Sequence, residues 1–401
     1  MSRNFEAVEI SDGLFWVGAI DWDVRDFHGY STPAGSTYNA YLLRGPEGWV
    51  LFDTVKEHFA DEMLSRVASV VDPSRVDVLV SNHSEPDHTG SLKGVLGELG
   101  EVALVASKMG AKNLRSHYGG LPDITVAADG EKMTLAGAEV LFLETRMLHW
   151  PDSMFSYLPD SGVLISQDAF GMHLAGSGRF AGDYDPAALR RQAAKYYANI
   201  LMPFSPLVSR LLSKVGDLGL RIDLIAPDHG PVYAAGGEPG PEWIADLWGR
   251  WAEGEKARKV VIVFDTMWHS TELMARSVAE GVARAGAEAK VLHLGGTHRS
   301  DVATEVLEAG GLVVGSPTIN NQIFPTLADA MTYLRGLKPG GLVGGCFGSY
   351  GWSGEAVGNL EEILDGMKVQ RVADSVSARF VPDGGKLAEC VGLGVAVAES
   401  M

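Results

Sequence analysis

The stretch Asn82–Gly90 reads NHSEPDHTG and holds four side chains able to bind a metal, His83, Glu85, Asp87 and His88, within six positions. Pro86 in its middle indicates a loop, because proline lacks an amide donor and clashes with a preceding helical turn. Three further residues of this kind lie downstream: His149 in LHWPDS, Asp168 in SQDAFG and His229 in PDHGPV. Taken singly, each has an ordinary structural reading. A histidine is more often a satisfied core residue than a ligand, and an aspartate more often a turn residue or helix cap. Together they read as a metal site of mixed nitrogen and carboxylate donors.

Each of these residues follows an apolar run. The opening loop follows VDVLVS (76–81), His149 follows AEVLFLET (138–145), Asp168 follows GVLIS (162–166) and His229 follows IDLIA (222–226). The runs NAYLLRG (39–45) and WVLFDT (49–54) have the same character. Short β-rich runs of this type predict strands, whose rigidity would bring the ligands to one edge of a sheet. A helix is expected over 185–199, where Asp185 is a cap and Pro186 takes the first helical position. A charged helix is expected over 241–259.

From Val260 the pattern changes. KVVIVFD, AEAKVLHL, GLVVGSP, GGLVGGCFG and VADSVSARF alternate with helical segments. Five strands with intervening helices predict a doubly wound parallel sheet. The expected division is a first domain over 1–252 and a second over 259–401, as 401 residues are many for one core.

In such a sheet, ordered 2-1-3-4-5, ligands bind at the carboxyl ends of strands 1 and 3, next to strand 4. Three loops fall there. The first holds Thr266, Met267, Trp268, His269, Ser270 and Thr271, with hydroxyls and a helix N-terminus suited to a phosphate. The second holds Ser316, Pro317, Thr318, Ile319, Asn320 and Asn321, and the third Gly348, Ser349, Tyr350, Gly351 and Trp352. Gly348, Gly351 and Gly354 would let backbone approach a planar ring. The set resembles flavodoxin binding FMN, with the phosphate on 266–271 and the isoalloxazine between 316–321 and 347–352.

Bulk properties narrow the partners. Lys and Arg number 33 against 51 Asp and Glu, a net charge of -18, which disfavours nucleic acid and anionic membrane. No apolar run approaches the roughly 20 residues of a membrane helix, and MSRNFEAVEISDG carries no hydrophobic leader. Cys346 and Cys390 are the only cysteines, which leaves no CxxC pair and no disulfide framework. A cytoplasmic protein is expected.

HSEPDH with His149, Asp168 and His229 resembles the metal pattern of the metallo-β-lactamase-like fold, an αββα sandwich. Most hydrolases of that superfamily carry HxHxDH and bind zinc. Here Glu85 replaces the second histidine, and the resulting HxExDH is similar to that of the flavodiiron family. The added carboxylate makes the donor set harder and more anionic, which suits a pair of irons better than zinc. The resemblance implies one iron on His83, Glu85 and His149, a second on Asp87 and His229, and Asp168 bridging both. It leaves open whether His88 ligates the second iron or is turned away. Tyr197 resembles a tyrosine that the family places beside the metals, and has an equal reading as an aromatic on a helix face. His28 and His173 read as surface or structural.

The implied activity is reduction of dioxygen to water, with nitric oxide to nitrous oxide as a second reaction. Four electrons convert dioxygen to two waters; two ferrous ions and one reduced FMN hold four. The resemblance further implies a head-to-tail homodimer or homotetramer, in which Trp352 would lie between flavin and irons, and rubredoxin or a similar small protein as electron donor. Two other readings compete: a zinc hydrolase fused to a flavodoxin domain, and an electron carrier without catalysis.

Overall fold

The computed structural model describes residues 5–401. These form two compact units, one comprising the chain up to Phe27 with 32–196 and 206–249, the other 28–31, 197–205 and 250–401. Among the described residues no helix is long and apolar enough to cross a membrane.

The first unit is built on two sheets. One has seven strands in the order Val8–Ser11, Leu14–Trp16, Tyr41–Arg44, Trp49–Phe52, Val76–Ser81, Ala103–Ser107 and Ile124–Ala127. Its first half is antiparallel and its last three pairings are parallel. The other has six strands, Lys132–Leu135, Ala138–Glu144, Met154–Leu158, Val163–Gln167, Leu224–Pro227 and Tyr233–Ala234. Trp16, Phe52, Val80 and Val105 from the first sheet share one core with Phe142, Met154, Ile165 and Ala226 from the second. The alternate residues Leu79 and Leu104 are fully buried on the opposite face, as expected where helices cover parallel strands. One such helix, Ala60–Val70, turns Met63, Leu64 and Val67 inward. The arrangement is the expected αββα sandwich.

Three local expectations are corrected. The segment after Ser81 is not wholly loop, since Pro86–Thr89 forms one helical turn with Pro86 at its first position, where a missing amide costs no hydrogen bond. The α-helix from Pro186 ends at Tyr196 and continues as a π-turn over Tyr197–Leu201; Asp185 Oδ1 accepts from the Ala187 amide at 3.0 Å, as its cap role requires. The helix from Pro241 stops at Glu253, where Gly254 takes a φ of +74° that glycine permits.

The second unit is a parallel sheet in the order Glu288–His293, Ala257–Phe264, Ala309–Pro317, Val343–Tyr350, and a last strand split into Gln370–Arg371 and Val376–Arg379. That is the 2-1-3-4-5 order. Val260, Ile262, Val313 and Phe347 pack on Met274, Val278 and Leu393 of the covering helices.

Candidate functional site

The metal-capable residues converge, but not on one sheet edge. His83, Glu85, Asp87 and His88 come from the end of Val76–Ser81 in the seven-stranded sheet, whereas His149, Asp168 and His229 follow strands of the six-stranded sheet. The site lies where two facing sheets each deliver part of the set, because both sheets bury one face in the same core and their strand ends meet there.

Asp168 organises the cluster. Its Oδ2 lies 2.8 Å from His149 Nε2 and 3.4 Å from His83 Nε2. Its Oδ1 lies 3.4 Å from both His88 Nε2 and His229 Nε2. Glu85 Oε2 joins the first set at 3.2 Å from His149 Nε2 and 4.0 Å from His83 Nε2. Asp87 Oδ2 joins the second, 3.2 Å from His229 Nε2 and 3.4 Å from His88 Nε2. Asp87, Asp168, His83, His88 and His229 are all buried, and His149 is partly exposed.

Buried polar groups normally find hydrogen-bond partners. Among the described residues His83 Nε2, both Asp87 oxygens and Asp168 Oδ1 have none, and four imidazoles face three carboxylates within a few ångströms. A cluster of lone pairs turned on one point is the donor set of a cation site, and its two halves on either side of Asp168 fit two metals (candidate groups include Glu85, His149, Asp168 and Asp87, His88, His229). The electrostatics agree. Burial opposes the charged form of His83, yet the carboxylate of Asp168 outweighs it and raises the ring to about 9. His149 is likewise opposed by burial and raised to about 10 by Asp168 and Glu85. Burial also works against the Asp87 and Asp168 carboxylates, and the facing imidazoles hold both well below their ordinary range. The cage attracts positive charge.

The backbone around the ligands is tightly held. Asp53 Oδ1 accepts from the Asn82 amide at 2.7 Å, and its Oδ2 accepts from Asn82 Nδ2 at 2.6 Å. Gln167 Nε2 donates to the Leu148 carbonyl, and its Oε1 accepts from the Asp168 amide, so one side chain ties the His149 and Asp168 segments together. Asn39 Nδ2 donates to the Pro227 and Gly230 carbonyls on either side of His229. His229 Nδ1 faces the Thr37 carbonyl at 2.6 Å, which leaves Nε2 for the cage.

Tyr197 is among the remaining candidates. It belongs to the second unit, its hydroxyl is 3.0 Å from Ser205 Oγ, and its ring lies 5.3 Å from that of Trp251. Its neighbour Tyr196 is the tyrosine that faces the cluster, 5.2 Å from the His173 ring and 6.1 Å from that of His229. A helical phase was legible: Leu189, Ala193 and Tyr196 form one buried stripe. His28 is exposed, whereas His173 is buried with its ring 4.6 Å from that of His229 and its Nδ1 2.7 Å from Ser36 Oγ. Tyr38 and Phe27 complete this wall, at 5.7 and 6.2 Å from the His229 ring. Asp228, immediately before His229, also faces the cluster; in the sequence it is indistinguishable from a turn residue.

In the second unit a cavity of about 630 Å³ opens at the expected strand ends, a size ordinary for a cofactor site. Met267, Trp268, Ser270, Pro317, Thr318, Ile319, Asn320, Asn321, Ser349, Tyr350, Gly351 and Trp352 line it, joined by Ser353, Phe380 and Val381, which sequence reasoning missed. Phe380 and Val381 follow the last half-strand and are exposed; an apolar pair left outside the core was the available signal. Among the described residues no lysine or arginine is in the lining. Thr266 does not line the cavity, but its Oγ1 is buried without a partner at the start of this loop. His269 does not line the cavity either; it precedes the helix Ser270–Arg284 with φ +65°, makes no side-chain capping bond, and its Nδ1 is 2.7 Å from Glu272 Oε2. Thr271, Ser316 and Gly348 do not line the cavity. Thr271 Oγ1 pairs with Ser349 Oγ at 2.8 Å, and Ser316 Oγ accepts from the Phe324 amide. A Cβ on Gly348 would sit 2.5 Å from the Ser316 carbonyl, so strand packing demands that glycine.

A two-sheet sandwich with one carboxylate set between two groups of metal-capable side chains, followed by a flavodoxin-like sheet with an aromatic-walled cavity, defines a two-domain metalloflavoprotein. Residues 37–230 match the model of the ODP family beta lactamase and residues 262–394 that of flavodoxin. The nitric oxide reductase of Moorella thermoacetica is 41% identical over 98% of each chain. The solved rubredoxin oxygen:oxidoreductase of Desulfovibrio gigas is 40% identical, with a TM-score of 0.95 over 98% of each chain. The flavodiiron protein of Giardia intestinalis superposes with a TM-score of 0.93 at 32% identity, covering 98% of this chain and 96% of that one. The chain belongs to the flavodiiron protein family, and it is an oxidoreductase.

Proposed function

We propose that this protein reduces dioxygen to water, and nitric oxide to nitrous oxide, at two irons held in the first unit, with FMN in the second. The observation that carries the reading is the division of the Asp168 carboxylate, one oxygen facing His83 and His149, the other His88 and His229. His83, Glu85 and His149 would hold one iron, Asp87, His88 and His229 the second, and Asp168 both. His88 belongs among the ligands in this reading because its Nε2 is directed at Asp87 and Asp168. When bound, the irons supply electrons and a coordination position for the substrate, and FMN supplies a two-electron store. The residues of the chain set the rest. Asp168 keeps the two half-sites close enough to act on one small molecule, and the Phe27, Tyr38, Tyr196 and His173 wall limits water beside it.

FMN would sit in the second cavity with its phosphate at the helix N-terminus at Ser270, beside the unpartnered Thr266 hydroxyl just behind the lining, and its ring against Tyr350, Trp352 and Trp268. The domain division 1–252 and 259–401 belongs to this reading. So does a head-to-tail dimer or tetramer: Trp268 and Trp352 are 87% and 90% exposed beside Phe380 and Val381, an apolar rim suited to a partner. Rubredoxin or a similar small protein is the proposed donor, and the cytoplasm the setting, consistent with two buried free thiols.

The test is metal and flavin analysis of purified protein, then anaerobic reduction and separate mixing with dioxygen and with nitric oxide. About two irons and one FMN per chain, with reoxidation by either gas, supports the reading. Zinc in place of iron, with no reoxidation, would return the hydrolase reading.

A further inference from the structure

We infer that Asp228 is a positioning residue that fixes His83 and His88 together, by accepting the Nδ1–H of both rings on one carboxylate. The inference rests on the diiron reading and deepens it.

Asp228 Oδ2 lies 3.6 Å from His83 Nδ1 and 3.7 Å from His88 Nδ1. All three residues are essentially without solvent exposure. Among the described residues, both oxygens of Asp228 and both Nδ1 atoms lack any other hydrogen-bond partner. Two buried ring donors and a buried acceptor therefore have only one another to satisfy, and a shift of a few tenths of an ångström closes both bonds. The two rings lie 4.9 Å apart and tilted by 40°, a spacing that lets one carboxylate serve both.

The same geometry puts Asp228 on the Nδ1 side of both rings, away from the Nε2 donors. Nδ1 and Nε2 occupy different edges of an imidazole, so an oxygen facing both Nδ1 atoms is behind the rings. In front, Asp168 meets the same two rings through their Nε2 atoms, one oxygen to each. Asp168 would be the carboxylate between the metals, and Asp228 the one that aims two of their ligands. The backbone of Asp228 is pinned on both sides. Its amide donates to the Gln167 carbonyl at 2.8 Å, and its carbonyl accepts from the Asn39 amide at 2.7 Å.

Because His83 and His88 belong to opposite halves of the cage, Asp228 couples them. It also gives His88 a reason to stay turned inward, since rotating the ring out would strand Nδ1. Partners behind ligating histidines typically change metal affinity by about 10–100-fold.

The experiment uses full-length Asp228→Asn and Asp228→Glu, stripped of metal and titrated anaerobically with ferrous iron against a chelator. Flavin content and the melting temperature of each metal-free form are measured alongside. The expected result is an affinity about 10–100-fold weaker for both irons in Asp228→Asn, partial recovery in Asp228→Glu, and unchanged flavin. A titration of Asp228→Asn that superposes on the parent would overturn the inference. So would weakening confined to one iron, or weakening matched by an equal fall in metal-free stability, which marks a packing role. Failure of the parent protein to bind two irons is a separate outcome and overturns the diiron reading itself.

Discussion

Asp53 receives both amide donors of Asn82, the backbone N–H at 2.7 Å and the side-chain Nδ2 at 2.6 Å. The pair is buried, and Asn82 immediately precedes His83. Asn82 Oδ1 in turn accepts from Ser156 Oγ at 2.7 Å, so the link spans from the loop to the second sheet. Replacing Asn82 with alanine removes one donor and leaves a buried carboxylate oxygen and a buried hydroxyl short of partners. The expected cost is about 2–4 kcal/mol of stability. Iron content should fall with it, as the loop carrying four ligands loses its anchor. Chemical denaturation and iron analysis of Asn82→Ala check this, and a stability within error of the parent would refute it.

The second prediction concerns metal choice. Glu85 supplies a carboxylate where a third imidazole would otherwise join His83 and His149, and its Oε2 is 3.2 Å from His149 Nε2. Glu85→His makes the donor set softer and less anionic, which favours zinc over ferrous iron. Protein refolded or expressed with both metals present should shift its zinc-to-iron ratio upward by several-fold. A ratio equal to that of the parent would show that the carboxylate does not select the metal.

How far the sequence reveals this site depends on where each residue gets its meaning. His83, Glu85, Asp87 and His88 lie close enough in the chain for their spacing to show chemistry, and the strand runs before His149, Asp168 and His229 are short, apolar and bounded by turns. The parallel order of the second unit follows from its regular alternation. What the sequence hid is set by contacts between distant segments. Nothing local shows that Val76–Ser81 and Val163–Gln167 lie in different sheets, since either arrangement buries the same apolar residues. Tyr196 and Tyr197 are adjacent and chemically alike, and only the π-turn that starts at Tyr197 separates their environments. Asp228 and Asp53 look like turn residues until their buried partners are known. Thr271 and Gly348 sit in the right loops, but a hydrogen bond to Ser349 and a close carbonyl claim them for the scaffold.

The third prediction is a pH dependence in the second unit. Burial pushes the Lys256 ammonium down to about 8, against the pull of Glu308, and its Nζ donates to the Leu307 carbonyl at 3.0 Å. In the unfolded chain the group titrates near 10.5. Between those values the unfolded state binds a proton that the folded state does not, so this group adds stability as pH rises from 8 to 10.5 and the gain is lost as pH falls back through 8. Lys256→Met lacks the effect. The difference in stability between parent and variant should move in favour of the parent by roughly 1–2 kcal/mol between pH 7.5 and 10. Paired unfolding curves at the two pH values measure it, and a constant difference would contradict it.

The last prediction separates two threonines that the sequence treats alike. Thr266 Oγ1 is buried without a partner at the head of the loop leading to the helix Ser270–Arg284. Thr271 Oγ1 is fully committed to Ser349. A hydroxyl left unsatisfied beside a helix N-terminus is a donor waiting for an anion, whereas a paired one is structural. Thr266→Val keeps the shape and deletes the donor. Losing one hydrogen bond to a charged phosphate costs about 1.5–3 kcal/mol, which is roughly a 10- to 150-fold weaker hold on FMN. Thr271→Val should instead lower the melting temperature of flavin-free protein, because the Ser349 hydroxyl is left without its partner. Flavin dissociation constants and flavin-free melting temperatures for the two variants form a crossed test. The assignment fails if Thr271→Val loses FMN affinity with unchanged melting while Thr266→Val does the reverse.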